Sequence, residues 1–355
     1  MRFSNLSHFS NVPTLCVAML FIAACGCNND KPLKQVEIKP ETAKIKVASR
    51  SFDMDLFACD FHKPKQCADS LRSAYGSFFC GFVEDDLRIA ACGSDSAGAL
   101  LGLFVNDPQI AATHQAVVEL FPAEKRAKLD EEFTEVVQRW HHFFADQPIP
   151  EIVYYCSAWN RSIATTDSLI GIALDCYLGG SHEITQQLSP DMFPAYMKEN
   201  MNERYILADA VKGFSAWNAR NLYQQKDLLS ELIFYGKIMY VAEALAPHLA
   251  DSTLMSWSTK QWNWAQAGEE QIWKTLANEK TMYQSKPFEI NKWFVDGPFT
   301  SATGVPQESA PQLGVWLGWN IIRSYMLKYP QTSMETLLAE SNNQHLLSAY
   351  VPGKR

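Results

Sequence analysis

One short stretch of period-two alternation, set in a chain that otherwise repeats at helical spacing, decides the fold class. Residues 149–179 read as three strands. Residues 151–157 are β-branched and aromatic, which suits a half-buried pleated surface. Asn160 forms a turn before a second run at 162–165, and Asp167 with Ser168 turn the chain again. Residues 168–178 then alternate. Ile170, Ile172, Leu174, Cys176 and Leu178 make an ordinary core face. Leu169, Gly171, Ala173, Asp175 and Tyr177 make the other, where small residues let a neighbour approach the backbone closely. Either a helix packs there with Asp175 at its rim, or an edge strand lines a cleft. The predicted fold is α+β, mostly helical with a small mixed or antiparallel sheet.

The chain has 355 residues, 47% of them hydrophobic, which is ample for a buried core. Residues 51–355 are expected to form a single globular domain. Acids and bases are mixed, net charge is −8, and no basic stripe points to nucleic acid. Arg2 followed by an apolar run at 13–24, too short to span a bilayer, reads as a signal peptide over residues 1–24. It ends Leu20-Phe21-Ile22-Ala23-Ala24-Cys25, the pattern of a bacterial lipoprotein signal. Cleavage before Cys25 leaves a cysteine carrying acyl chains, each buried methylene adding roughly 0.8 kcal/mol of membrane affinity. Cys27 is the weaker alternative, because Cys25 would then fill the small position before it. Residues 25–50 are polar and Lys-rich with two prolines, and are expected to be a lipidated flexible tether. No later stretch is long enough to cross a membrane. The expected location is the cell envelope, at the outer membrane, on its periplasmic or surface face.

Seven cysteines follow Cys25. Cys59 with Cys67, or Cys80 with Cys92, are plausible local disulfides in an exported chain. Cys156 and Cys176 lie on predicted strands and read as buried thiols.

Residues 51–57 look like a first strand with Asp53 and Asp55 on one side, and helices are expected at 69–83, 96–105, 109–121 and 122–145. His141 and His142 point about 100° apart on the last of these and cannot face one metal together. His182-Glu183 has Gln186 where a zinc signature would place its second histidine, and a metal role is not expected. Helices follow at 205–222 and 227–245. In the second, Glu243 falls among Leu228, Leu232, Gly236 and Met239; it either reaches solvent near the helix end or is an inward acid in a polar cluster. Ser258 and Gln261 form a capping box ahead of a Trp-rich stretch (Trp262, Trp264, Trp273, later Trp293) that reads as core. Asp296-Gly297-Pro298 is a sharp turn. On a last strong helix at 313–329, Gly314 and Gly318 offer a close-packing face, and Arg323 sits one turn after Trp319, within reach of a cation–π contact.

From about residue 51 onward the chain resembles the gliding motility lipoprotein B family of Bacteroidota. The resemblance rests on IGIALDCYLG (170–179), LLSELIFYGKIMYVAEALAP (228–247), EEQIWKTLANEKTMYQS (269–285), WFVDGPFT (293–300) and LGVWLGWNIIRSYM (313–326), in that order behind the lipoprotein signal. It implies an envelope lipoprotein tied to gliding in species that glide. The family is in turn distantly similar to zincin-type metallopeptidases, from which this chain departs. It has no His-Glu-x-x-His, residues 205–213 (YILADAVKG) lack histidine, and Tyr235 stands where a ligand Glu would.

No complete catalytic motif is present, so the expectation leans away from an enzyme, with no metal and no cofactor. The leading expectation is a non-catalytic envelope lipoprotein, held to the membrane by its lipid, that binds or scaffolds an envelope partner. One alternative is a hydrolase, carboxylate-based or degenerate zincin-like, using Asp175, Glu243 or Asp296 with Arg323. Another is a peptide- or glycan-binding module with a pocket roofed by the Trp-rich helices. The candidate polar cluster is Asp175, Glu243, Asp296, Arg323 and Tyr235.

Overall fold

A computed structural model describes residues 44–353, apart from residues 225 and 278 and the side chains of 279 and 280. The expected signal peptide, Cys25, Cys27 and most of the expected tether lie outside the described residues.

The fold is α+β and mostly helical, with one four-stranded mixed sheet. The strands are β1 (Ser49–Ser51), β2 (Glu151–Tyr155), β3 (Ile163–Thr166) and β4 (Leu169–Ala173), in spatial order β1-β2-β4-β3. β1, β2 and β4 run parallel, with Val153 opposite Gly171, and β3 returns antiparallel beside β4.

Two expectations are corrected here. Residues 51–57 are not a strand: β1 ends at Ser51 and Phe52–Phe57 is a helix. Phe52 and Leu56, four apart, are the buried apolar pair, and helical winding sends Asp53 inward to a two-pronged ion pair with Arg126 at 2.8 and 2.7 Å. Asp55 lies outside, accepting from Tyr75 Oη. The third strand is also shorter than its alternation suggests. It stops at Ala173, and Leu174–Tyr177 is a 3₁₀ turn. Every residue from Leu169 to Leu178 is buried, as in an interior parallel strand covered on both faces, so alternation carries no information about a solvent face. β4 is therefore interior and not an edge, and Asp175 is fully buried and not at a rim. The close approach to Gly171 is real: a Cβ there would meet the Phe78 ring at 2.9 Å.

The helical side is built on Leu228–Leu245 packed against Leu313–Lys328. Asp227 and Ser230 close a capping box at the start of the first. Of the two glycines that the sequence placed on a close-packing face, Gly318 lies in the seam, opposite Gly236, while Gly314 packs against Trp293 and Phe294. A Cβ on Gly318 would lie 1.9 Å from Leu232 O, and one on Gly236 would lie 2.2 Å from Gly318 O. Two further short helices, Met334–Ala339 and Asn343–Leu347, follow. Lys237, buried, donates to Leu338 O and Glu340 O at the end of the first of these.

Both local disulfides form, Cys59–Cys67 and Cys80–Cys92, while Cys156 and Cys176 are buried thiols. The final residues of the expected tether are docked. Val47 N donates to Thr134 Oγ1 and Gln138 Nε2 donates to Ile45 O, both on the Ala123–Phe143 helix, and Arg50 pairs with Glu151 of β2 at 2.5 Å. Capping by Ser258 with Gln261 is as expected.

Candidate functional site

In open sheets with parallel strands, ligands bind in the crevice outside the carboxyl ends of those strands. β2 and β4 are parallel neighbours that end side by side, at Tyr155 and Ala173. A cleft of about 410 Å³ lies where the chain leaves them, lined from the β2 side by Trp159 and Arg161 and from the β4 side by Cys176 and Tyr177.

Asp175 shapes one wall. Its two carboxylate oxygens accept from Ser157 N at 3.0 Å and Trp159 N at 2.9 Å, and the Trp159 indole donates to Asp175 O at 3.1 Å. The loop is folded tightly enough that Ala158 and Trp159 both take positive φ, 55° and 59°. Burial pushes the Asp175 carboxyl up to about 6, against the pull of its backbone donors.

Backbone strain gathers at this cleft. Among the described residues five non-glycine positions have positive φ. Trp159, Ser256 and Gln312 line the cleft, and Ala158 adjoins it. Each such position costs roughly 1–3 kcal/mol and persists only where its surroundings impose it. Across the floor, Asp209 accepts from Tyr177 Oη at 3.1 Å and pairs with Lys212 at 3.0 Å; Lys212 also donates to Ser256 Oγ at 3.2 Å. Arg161 pairs with Asp86 at 2.8 Å. Asp296 stands at the mouth, open to solvent, its carboxyl raised by the protein walls around it.

The other candidate residues lie elsewhere. Glu243, 1% exposed, accepts from Trp319 Nε1 and Arg323 Nε, both at 2.8 Å. Arg323 also pairs with Asp251 at 2.8 Å and lies 3.6 Å over the Trp319 ring. Glu243 is thus the inward acid of a polar cluster and does not reach solvent. Tyr235 stacks on Phe294 and belongs to neither group. Of the five candidates, the fold joins Glu243 to Arg323 and gives the cleft Asp175, behind its wall, and Asp296, at its mouth.

The Trp-rich helices do not roof this cleft. Trp293 is buried, Trp262, Trp264 and Trp273 are partly buried against the core, and the tryptophan on the cleft is Trp159. Sequence reasoning passed over Trp159, Asp209 and Lys212. The available signal was the run of turn formers after the first strand; Asp209 and Lys212 look like any i,i+3 helix pair. His182 caps the Glu183–Gln187 helix, its Nδ1 accepting from Ile184 N. Among the described residues no group of three or more His, Cys, Asp or Glu side chains is placed to hold a metal ion.

No curated protein and no solved structure matches the chain. Residues 34–352 match the family described as gliding motility protein GldB, a span that includes the whole sheet, the cleft and the glycine seam. The match covers nearly all of the chain, which therefore belongs to the GldB gliding motility family.

Proposed function

We propose that this chain is a non-catalytic lipoprotein of the cell envelope, acylated at Cys25 and held at the outer membrane. It serves the gliding machinery, or that machinery's counterpart in relatives that do not glide, by gripping an envelope partner in the cleft at the ends of β2 and β4. The observation that carries this is the convergence of strained backbone on one opening. Three of the five strained positions line it, and a fold maintains such strain where a surface must keep a set shape. The two disulfides suit an oxidising compartment outside the cytoplasm. The hydrolase alternative asks Asp175, Glu243 or Asp296 to work with Arg323. Arg323 is held by Glu243 and Asp251 in a set that does not line the cleft, while Asp175 is occupied by backbone donors and Asp296 stands at the cleft mouth.

In cells grown with labelled palmitate, a photo-crosslinker replaces Asn200 on the exposed cleft rim or Glu335 on an exposed helix outside it. The expected result is label on the protein that Cys25→Ser abolishes, and one discrete crosslinked adduct from position 200 that position 335 does not give. Adducts of equal pattern from both positions would rule out the cleft, and label surviving Cys25→Ser would rule out the anchor.

A further inference from the structure

The charges on the cleft floor cancel in pairs, Lys212 with Asp209 and Arg161 with Asp86. Asp296 is the exception. Among the described residues no hydrogen bond and no ion pair meets its carboxylate, and the one cation that acts on it, Lys212, is already shared between Asp209 and Ser256. The walls beside it are aromatic and thioether: Trp159, Tyr196, Met197 and Met255. Two exposed apolar residues adjoin lining residues in the chain, Val295 (47% exposed) before Asp296 and Met192 (71% exposed) before Phe193. Methionine side chains adapt to the shape of an incoming apolar group. A sugar would look instead for several uncommitted planar polar groups side by side, and here the Asn160 amide is bound to Ser157 O, Asp209 to Lys212 and Arg161 to Asp86, which leaves the amides of Asn200 and Gln312. A lysine or arginine fits both halves of the site, because its methylene stem lies along apolar surface while its head needs a counter-ion.

We propose that the cleft binds an extended peptide segment that sets a lysine or arginine head on Asp296 and a neighbouring apolar side chain among Trp159, Tyr196 and Met197. This deepens the cleft-binding function and rests on it. The protein walls that thin the water around Asp296 also strengthen its attraction for a cation.

The test uses the full acylated chain in zwitterionic nanodiscs, panned against a displayed library of random heptapeptides. Wild type is expected to enrich lysine or arginine about fivefold at one position, beside an aliphatic or aromatic residue. Asp296→Lys should reverse that preference to aspartate or glutamate, and Trp159→Ala should lower recovery. Peptides that depend on Trp159 but show no basic preference, or keep it in Asp296→Lys, would overturn the cation assignment and leave the cleft function standing. Peptides indifferent to both variants, or none recovered, would overturn both. Asp296→Asn, a change at a solvent-exposed position, carries the comparison if Trp159→Ala does not fold.

Discussion

A fully buried carboxylate with only backbone donors for company makes Asp175 the residue whose ionisation the fold feels most directly. Its folded pKa, about 6, lies above the ordinary 3.8. Between those values the folded state holds the proton more often than the unfolded chain, so stability contributed by this group is present below pH 4 and is lost as pH rises through 6. The span of about two units corresponds to about 3 kcal/mol. The stability of wild type minus that of Asp175→Asn, from urea unfolding, is expected to fall by that order from pH 4 to pH 7. A difference that stays constant with pH would refute the assignment. At this scale the sequence could nominate residues but not their partners. Asp175 stood out as the lone carboxylate among small residues, and Glu243 as the lone acid on an apolar face. Only folding shows that the first meets Ser157 and Trp159 and the second Trp319 and Arg323, because those partners are separated by 16 to 80 residues.

Elements were legible where one rule acted alone. The Leu228–Leu245 and Leu313–Lys328 helices are long, the first is closed by a capping box, and Gly318 on the second announced a close approach. Gly318→Ala would put a Cβ 1.9 Å from Leu232 O, a backbone atom that cannot swing aside. A loss of about 3 kcal/mol or more is expected in chemical unfolding. Gly81→Ala, where the nearest atom is a side-chain oxygen at 3.7 Å and the backbone is helical, should be neutral or stabilising by up to about 1 kcal/mol. Equal costs at the two sites would show that the helices do not touch through their glycines. Elements were misread where two rules competed. In Phe52–Phe57 the spacing of Phe52 and Leu56 outweighed the Asp53/Asp55 alternation, and beyond Ala173 burial on every side made period two uninformative.

At the scale of the whole molecule, the sequence conveyed the class and the family, since a small sheet in a helical chain and a set of ordered segments survive any error at element ends. The cleft was not legible, because it is assembled from loops far apart in the chain that share no pattern. Near the N-terminal end of the fold, each disulfide ties a helix to a neighbouring loop, Cys59 to Cys67 on Pro64–Tyr75 across 8 residues and Cys80 on Ser77–Gly81 to Cys92 across 12. Loops of that size correspond to roughly 2–3 kcal/mol each. Replacing either pair by alanines should lower stability by that amount in urea unfolding under non-reducing conditions, and reductant should then have a smaller effect than on wild type. No loss from either replacement would mean that packing alone holds this region.

The docking of residues 45–51 sets where traction enters the molecule. Whatever the chain is fastened to upstream, a pull along it reaches the fold first at Ile45 and Val47 on the Ala123–Phe143 helix, then at the Arg50–Glu151 pair, and next at Arg126, which grips both Ser51 and Asp53. The Arg50–Glu151 pair lies directly on β2, and β1 runs along that strand from Ser49 to Ser51, so the load passes straight to the strand that leads into the cleft. A tug from upstream is thereby delivered to the sheet edge and not to the helical side built on Leu228–Leu245 and Leu313–Lys328.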